Sequence, residues 1–216
     1  METVREIGAR EAHSLKIRSA LIQACGDLLA KMPIDAITIA NIVETAGVAK
    51  GSFYNHFPDK ETLAMAVSTA IRDEIEQKVR QSNLNVTDPA YKIARGVCNH
   101  VKLAVEDPRR AIIMMRSREL GTTSNDSPMN RQIRAHVLEG VQSSRFSARC
   151  EQAGILLLMG VTFFTMARII EDELSRDESI ELTRQAVTLA LCGFGVLEEE
   201  AARIASDSAS DVIGNK

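Results

Sequence analysis

The residues of this chain best suited to chemistry cluster between Thr38 and Leu63, in the stretch TIANIVETAGVAKGSFYNHFPDKETL. Lys50 supplies a cation, and Ser52 and Asn55 can donate to base edges or phosphates. Tyr54 and His56 carry rings with polar tips, suited to phosphate contact. Gly51 has no Cβ and lets a foreign surface approach the backbone. Thr38 stands at an expected helix start, where unpaired N–H groups favour anions, and Lys60 adds a cation at the next one. Phe53 and Phe57 are four apart, so they share one helix face and can anchor it to a core. This is the chemistry of polyanion binding rather than of bond making.

The rest of the chain offers little to catalysis. His13, His56, His100 and His136 fall in different segments, and no HExxH, GxSxG or P-loop pattern occurs. Cys98 and His100 are two apart on an expected helix, which turns them to different faces. Cys25, Cys98, Cys150 and Cys192 include no CxxC pair, so no zinc or dithiol signature arises. They read as small buried apolar residues in a reducing compartment. No catalytic residue, no metal and no cofactor is expected.

The elements that must position the cluster are helices. Hydrophobic residues make up 45% of the 216 residues and aromatics 4%, with 5 Pro and 12 Gly, a mix that favours helix over strand. Ile17, Leu21, Ala24 and Leu28 recur at helical spacing, which predicts a helix over 15–32, capped by Ser14 and closed by Pro33. A short helix runs from Thr38 to Ala46, with Gly47 at the stop. Another runs from Ala49 to His56, ended by Pro58. Asp59 then caps a helix continuing toward Val79. Two short helices joined by a glycine turn and backed by a third form a helix-turn-helix, whose second helix can enter a DNA major groove. Further helices are expected near 89–106, 108–120, 128–145, 148–174 and 178–205, with a polar loop at Gly121–Pro128. The chain is therefore read as all-α, with about nine helices. An N-terminal three-helix domain spans 1–60, a larger helical domain 61–205, and a polar, disordered tail 206–216.

This central stretch resembles the DNA-binding block of the tetracycline-repressor (TetR-like) family of bacterial transcription regulators. The likeness runs through TIANIVETAGVAKGSFYNHF and DKETL, and beyond that block it rests on length and helical character alone. It implies a homodimer that binds a palindromic double-stranded DNA operator, and a small-molecule effector that releases it as a repressor. It also implies phosphate contacts from Thr38, Tyr54, His56 and Lys60. Lys50, Ser52 and Asn55 match recognition-helix positions, and Gly51 the close-approach glycine. The N-terminal tail departs from the pattern, since Glu2, Glu6 and Glu11 weaken any minor-groove role.

Charge does not reinforce this reading. The net charge is −3, and residues 1–60 hold as many acidic as basic side chains. Placement rather than number must therefore make a DNA-binding face. The acidic balance keeps a second possibility in view, a helical adaptor that retains the fold without binding DNA.

In the larger domain, Leu156, Met159, Gly160, Phe163, Phe164 and Ala167, with Val187, Leu191 and Phe194, form apolar faces for a four-helix dimer contact. Cys98, His100, Met114, Met115, Arg116, Arg118 and Phe163 are candidates for lining an effector pocket. Methionines adapt to apolar ligands, and an arginine can pair a carboxylate. The plain alternative is core methionines and surface arginines. The run GILLLMGVTFFTMARII at 154–170 approaches the length of a membrane span, but its Arg168 and acidic flanks suit a protein contact better. The N-terminus has no apolar leader core. A cytoplasmic protein without a membrane partner is expected.

Overall fold

The computed structural model describes residues 2–116, 131–147 and 150–214. Among them are ten α-helices and no strand: α1 Glu2–Leu29, α2 Ile39–Ala46, α3 Lys50–Tyr54, α4 Lys60–Ser82, α5 Pro89–Glu106, α6 Pro108–Arg116, α7 Arg131–Gln142, α8 Cys150–Glu171, α9 Arg176–Gly193 and α10 Glu198–Ala209. The all-α expectation holds. Arg118 and the loop Gly121–Pro128 lie outside the described residues.

The chain forms two compact units. One comprises residues 1–71 with 112–118, the other 72–111 with 119–216. The division falls inside α4 and α6, not at the expected residue 60. The reason lies in the first unit's core. Leu21, Cys25 and Leu29 of α1, Ile37, Ile42 of α2 and Phe53 of α3 are all fully buried. Leu63, Ala64 and Val67 of α4 are buried too, and Ile113 of α6 joins them. Gly26 of α1 lies 3.6 Å, measured from where a Cβ would stand, from Val67 and 3.8 Å from Ile113. Arg116 donates from Nη1 to the Leu29 carbonyl at 3.0 Å, pairing one of the acceptors that the α1 terminus leaves open.

Several boundaries differ from expectation for identifiable reasons. Helix α1 starts at Glu2, so Ser14 is interior and not a cap, and the acidic N-terminus is helix rather than a loose arm. The expected helix 178–205 is two helices. Gly195 takes φ +93, a left-handed conformation that breaks the run between α9 and α10.

In the second unit α5 is central, packing against α7, α8, α9 and α10. Asp88 caps it, accepting from Ala90 N at 2.9 Å, and Pro89 fills the first position, where a missing N–H costs nothing. Its Ala90, Ala94, Cys98 and Val101 are fully buried. Phe146 lies across Gly140 of α7, where a Cβ would collide with the ring, and stacks on Phe194 with centroids 4.9 Å apart. Beside it Arg145 forks to both Asp88 and Glu200 at 2.9 to 3.1 Å. Burial raises the Asp88 carboxyl, but Arg145 and the Ala90 N–H outweigh that and hold it below the ordinary range.

The tail expected to be disordered is folded as far as residue 214. Helix α10 continues to Ala209 and a π-helical turn spans Ser210–Gly214. Val212 and Ile213 are buried. Tyr91 donates to Asp207 at 2.8 Å, Arg95 pairs with Asp211 at 3.0 Å, and Arg176 donates to the Ile213 carbonyl. Composition suggested a polar tail, but two apolar residues within it suffice to fix its end.

Candidate nucleic-acid interface

Helix α2 is started by a reciprocal cap. Thr38 Oγ1 accepts from Asn41 N at 3.1 Å, while Asn41 Oδ1 accepts from Thr38 N at 3.1 Å and from Thr38 Oγ1 at 2.6 Å. The sole hydroxyl proton of Thr38 is thereby engaged. Thr38 shapes the helix start, and an anion there would meet the first-turn N–H groups of α2 rather than this side chain. Sequence reasoning missed Asn41, because the usual box carries Glu or Gln at that position. Helix α2 ends at Gly47 with φ +67 and ψ +32, a left-handed cap that reverses the chain toward α3.

Helix α3 is held by its two phenylalanines. Phe53 is fully buried and Phe57 nearly so, their centroids 6.3 Å apart. Burying one such side chain stabilises by roughly 1.5–3 kcal/mol, enough to fix a five-residue helix that could not stand alone. The outer face is left to Lys50, Gly51, Tyr54 and Asn55, all exposed, with Ser52 and His56 half-buried. Tyr54 is 54% exposed and its ring stands edge-on to Phe53. A Cβ placed on Gly51 would meet nothing within 4 Å. The fold itself therefore does not require glycine there, and the open backbone faces outward.

Two cations behave differently from expectation. Lys60 turns inward. Its ammonium donates to Ile34 O at 2.9 Å and Ile37 O at 2.8 Å, with Asp35 O at 3.5 Å. It clips the 3₁₀ turn Ile34–Ala36 and the start of α2 to the first residue of α4. Its protons are turned to carbonyls of the chain itself, which gives Lys60 a structural part. Arg18, by contrast, was not singled out from the sequence. Its guanidinium lies 5.3 Å from the Phe57 ring centroid, a cation–π contact that sets a positive charge beside the end of α3. The long sequence separation hid it.

The effector-pocket candidates are divided between the two units. Met114, Met115 and Arg116 belong to the first unit, while Cys98, His100 and Phe163 belong to the second. Cys98 is fully buried and its thiol is pushed up to about 12 by burial, as is that of Cys25, so neither is a reactive thiolate. His100 donates from Nδ1 to Gly96 O at 2.9 Å, and burial lowers its pKa. On α8, Leu156, Leu157 and Phe164 are exposed, Phe164 at 71%, and Met159, Gly160, Phe163 and Ala167 are half-exposed. Val187, Leu191 and Phe194, expected in the dimer contact, are instead buried inside the subunit; Leu189, 72% exposed, is the large apolar residue that α9 turns outward. The α8 segment Ala153–Glu171 is long and apolar enough to cross a membrane by length and composition, with a third of it buried.

A glycine-turned helix pair with a polar outer face, joined in sequence to a separate helical unit, defines a helix-turn-helix protein with an appended helical domain. Residues 21–67, the helix-turn-helix stretch, match the model of bacterial regulatory proteins, tetR family. It is 28% identical over 79 residues to the HTH-type transcriptional regulator AlkX of Mycobacterium tuberculosis, a stretch covering 37% of each protein. The match thus spans well under half of that relative. Among solved structures, RolR in complex with resorcinol is similar at TM-score 0.61 and 22% identity, over 91% of this chain and 96% of that one. FadR of Bacillus subtilis in complex with stearoyl-CoA gives TM-score 0.65 and 17% identity, over 81% and 98%.

Proposed function

We propose that this protein is a dimeric, cytoplasmic transcription regulator that lays α3 in the major groove of an operator and releases it when a small molecule binds the helical domain. The observation that carries this is the two-sidedness of α3. Phe53 and Phe57 are sunk into the core while Lys50, Gly51, Tyr54 and Asn55 stand exposed opposite them. Lys50, Ser52 and Asn55 read bases, and Tyr54, His56 and the α2 start hold phosphates. Arg18 joins the phosphate set, and Lys60 leaves it.

The occupant of the apolar α8 face is a second copy of the chain. Leu156, Leu157, Phe164 and Leu189 are too large and too apolar to remain in water together. A two-fold dimer also presents two recognition helices to a palindrome. Effector and operator oppose each other by linkage, and a hundredfold release corresponds to about 2.7 kcal/mol of coupling. That RolR and FadR were solved with resorcinol and stearoyl-CoA supports ligand binding by a helical domain of this fold.

The test is selection of a preferred duplex from a random pool, followed by a salt titration of binding. A DNA binder enriches a palindromic site and loses affinity steeply with salt. A protein that enriches nothing and ignores every duplex at low salt is the adaptor instead.

A further inference from the structure

The second unit carries buried polar atoms that its own structure leaves unpaired. Among the described residues these are Asn83 Oδ1, Gln132 Oε1, His136 Nε2 and Ser208 Oγ. Asn83 lies in the turn after α4 and Ser208 on α10, but Gln132 and His136 are four apart on α7. Residues at that spacing share a helix face, so both unpaired tips are buried on the same side.

The chemistry of the pair is fixed by its neighbour. His136 Nδ1 sits 3.7 Å from Glu139 Oε2, and Glu139 is itself gripped by Lys92 at 2.7 and 2.8 Å. The nearby carboxylate charge favours the tautomer with the ring proton on Nδ1, in which Nε2 keeps its lone pair. Burial, helped by the Lys92 charge, lowers the imidazole pKa and keeps the ring neutral. Nε2 is then an acceptor, and Gln132 Oε1, one turn earlier on the same helix face, is a second one. A buried acceptor with no donor is costly, so the pair suits a ligand that brings donors. A carboxylate brings none, and it would face the charge of Glu139 while Lys92 is already neutralised.

We propose that Gln132 and His136 are the recognition point for the effector, and that the effector is a neutral molecule with two hydroxyl groups on non-adjacent carbons. This rests on the reading that the helical unit binds an effector. One hydroxyl donates to Gln132 Oε1, the other to His136 Nε2. The half-buried Ile133 and the buried Val137, which follow them in sequence on α7, make the body of the ligand apolar.

The experiment measures thermal shifts of the full chain without DNA, so that its outcome is independent of whether the operator reading holds. The probes are a panel of neutral aryl diols led by 3-hydroxybenzyl alcohol, with benzyl alcohol and 3-hydroxybenzoate as controls. The diols should raise the midpoint, benzyl alcohol less so, and 3-hydroxybenzoate not at all. Gln132→Leu and His136→Leu should each weaken diol affinity at least tenfold. Unliganded, both variants should melt no lower than the parent, because each removes an unpaired buried acceptor. A panel without effect, a shift larger for 3-hydroxybenzoate than for the diols, or diol affinity unchanged in the double variant would overturn the assignment. If the diols bind as expected but no duplex does, the site stands and the DNA-binding reading falls.

Discussion

Replacing Lys60 by Met separates a clip from a phosphate contact. The substitution keeps the apolar stem and removes the ammonium, and with it the bonds to Ile34 O and Ile37 O. Hydrogen bonds from a charged donor are worth roughly 1.5–3 kcal/mol each. Lys60 is 22% exposed, so water takes over part of what is lost. A net destabilisation of about 2 kcal/mol follows, which for a chain of this size lowers the midpoint by about 4–8 °C. Binding should weaken as well, because the start of α2 is no longer tied to α4. The slope of log affinity against log salt should stay unchanged. A phosphate contact would contribute about 0.9 to that slope, or about 1.8 for the two copies in a dimer. Fluorescence anisotropy with a labelled duplex from low to moderate KCl, beside a melting curve, reads both quantities. A slope reduced by about 1.8 with an unchanged midpoint would refute the clip and restore Lys60 to the phosphate set.

Three further outcomes are expected. Gly51→Ala should leave the melting midpoint the same or slightly higher, since a Cβ meets nothing there and alanine is favoured in a helix by about 0.5–1 kcal/mol; duplex affinity should nevertheless fall at least tenfold, and unchanged affinity would remove Gly51 from the interface. Phe164→Glu should shift sedimentation toward monomer without lowering helicity by circular dichroism, because the ring is largely outside the subunit. Arg110 and Lys78 hold the Glu74 carboxyl down to about 2, so its contribution is complete above the unfolded value of about 4.5 and is lost as pH falls toward 2. Urea midpoints measured across that window should fall less steeply for Glu74→Gln than for the parent, and parallel curves would contradict the assignment.

Much of the fold was legible because its signals are local. Pro33, Gly47, Pro58, Asp59 and Asp88 with Pro89 mark ends that depend on backbone geometry and capping within a few residues. Phe53 and Phe57 announced their burial by spacing alone. What stayed hidden depends on contacts between distant parts of the chain. Nothing near Lys60 says that carbonyls 23 and 26 residues earlier await its ammonium. Nothing near Arg18 announces Phe57, and the length of α1 was misjudged because its first half has no apolar stripe. Val187, Leu191 and Phe194 were read as an outer face because hydrophobic periodicity shows that a helix has an apolar side but not which neighbour covers it. Gly195 was visible, but its left-handed backbone was not. In the tail, polar composition outweighed Val212 and Ile213 in the reading and not in the structure.

The packing of α6 onto the first unit bears on how this protein could be re-engineered. Exchanging recognition modules between relatives tempts one to splice after residue 60, where the motif ends. Such a chimera would carry the donor's α1 with the acceptor's Val67 and Ile113, mismatching the surface against Gly26 and leaving the Leu29 carbonyl to a foreign residue. The compatible graft is discontinuous, with one crossover near residue 71 and a second cassette at 112–118, so that both halves of the same small core travel together.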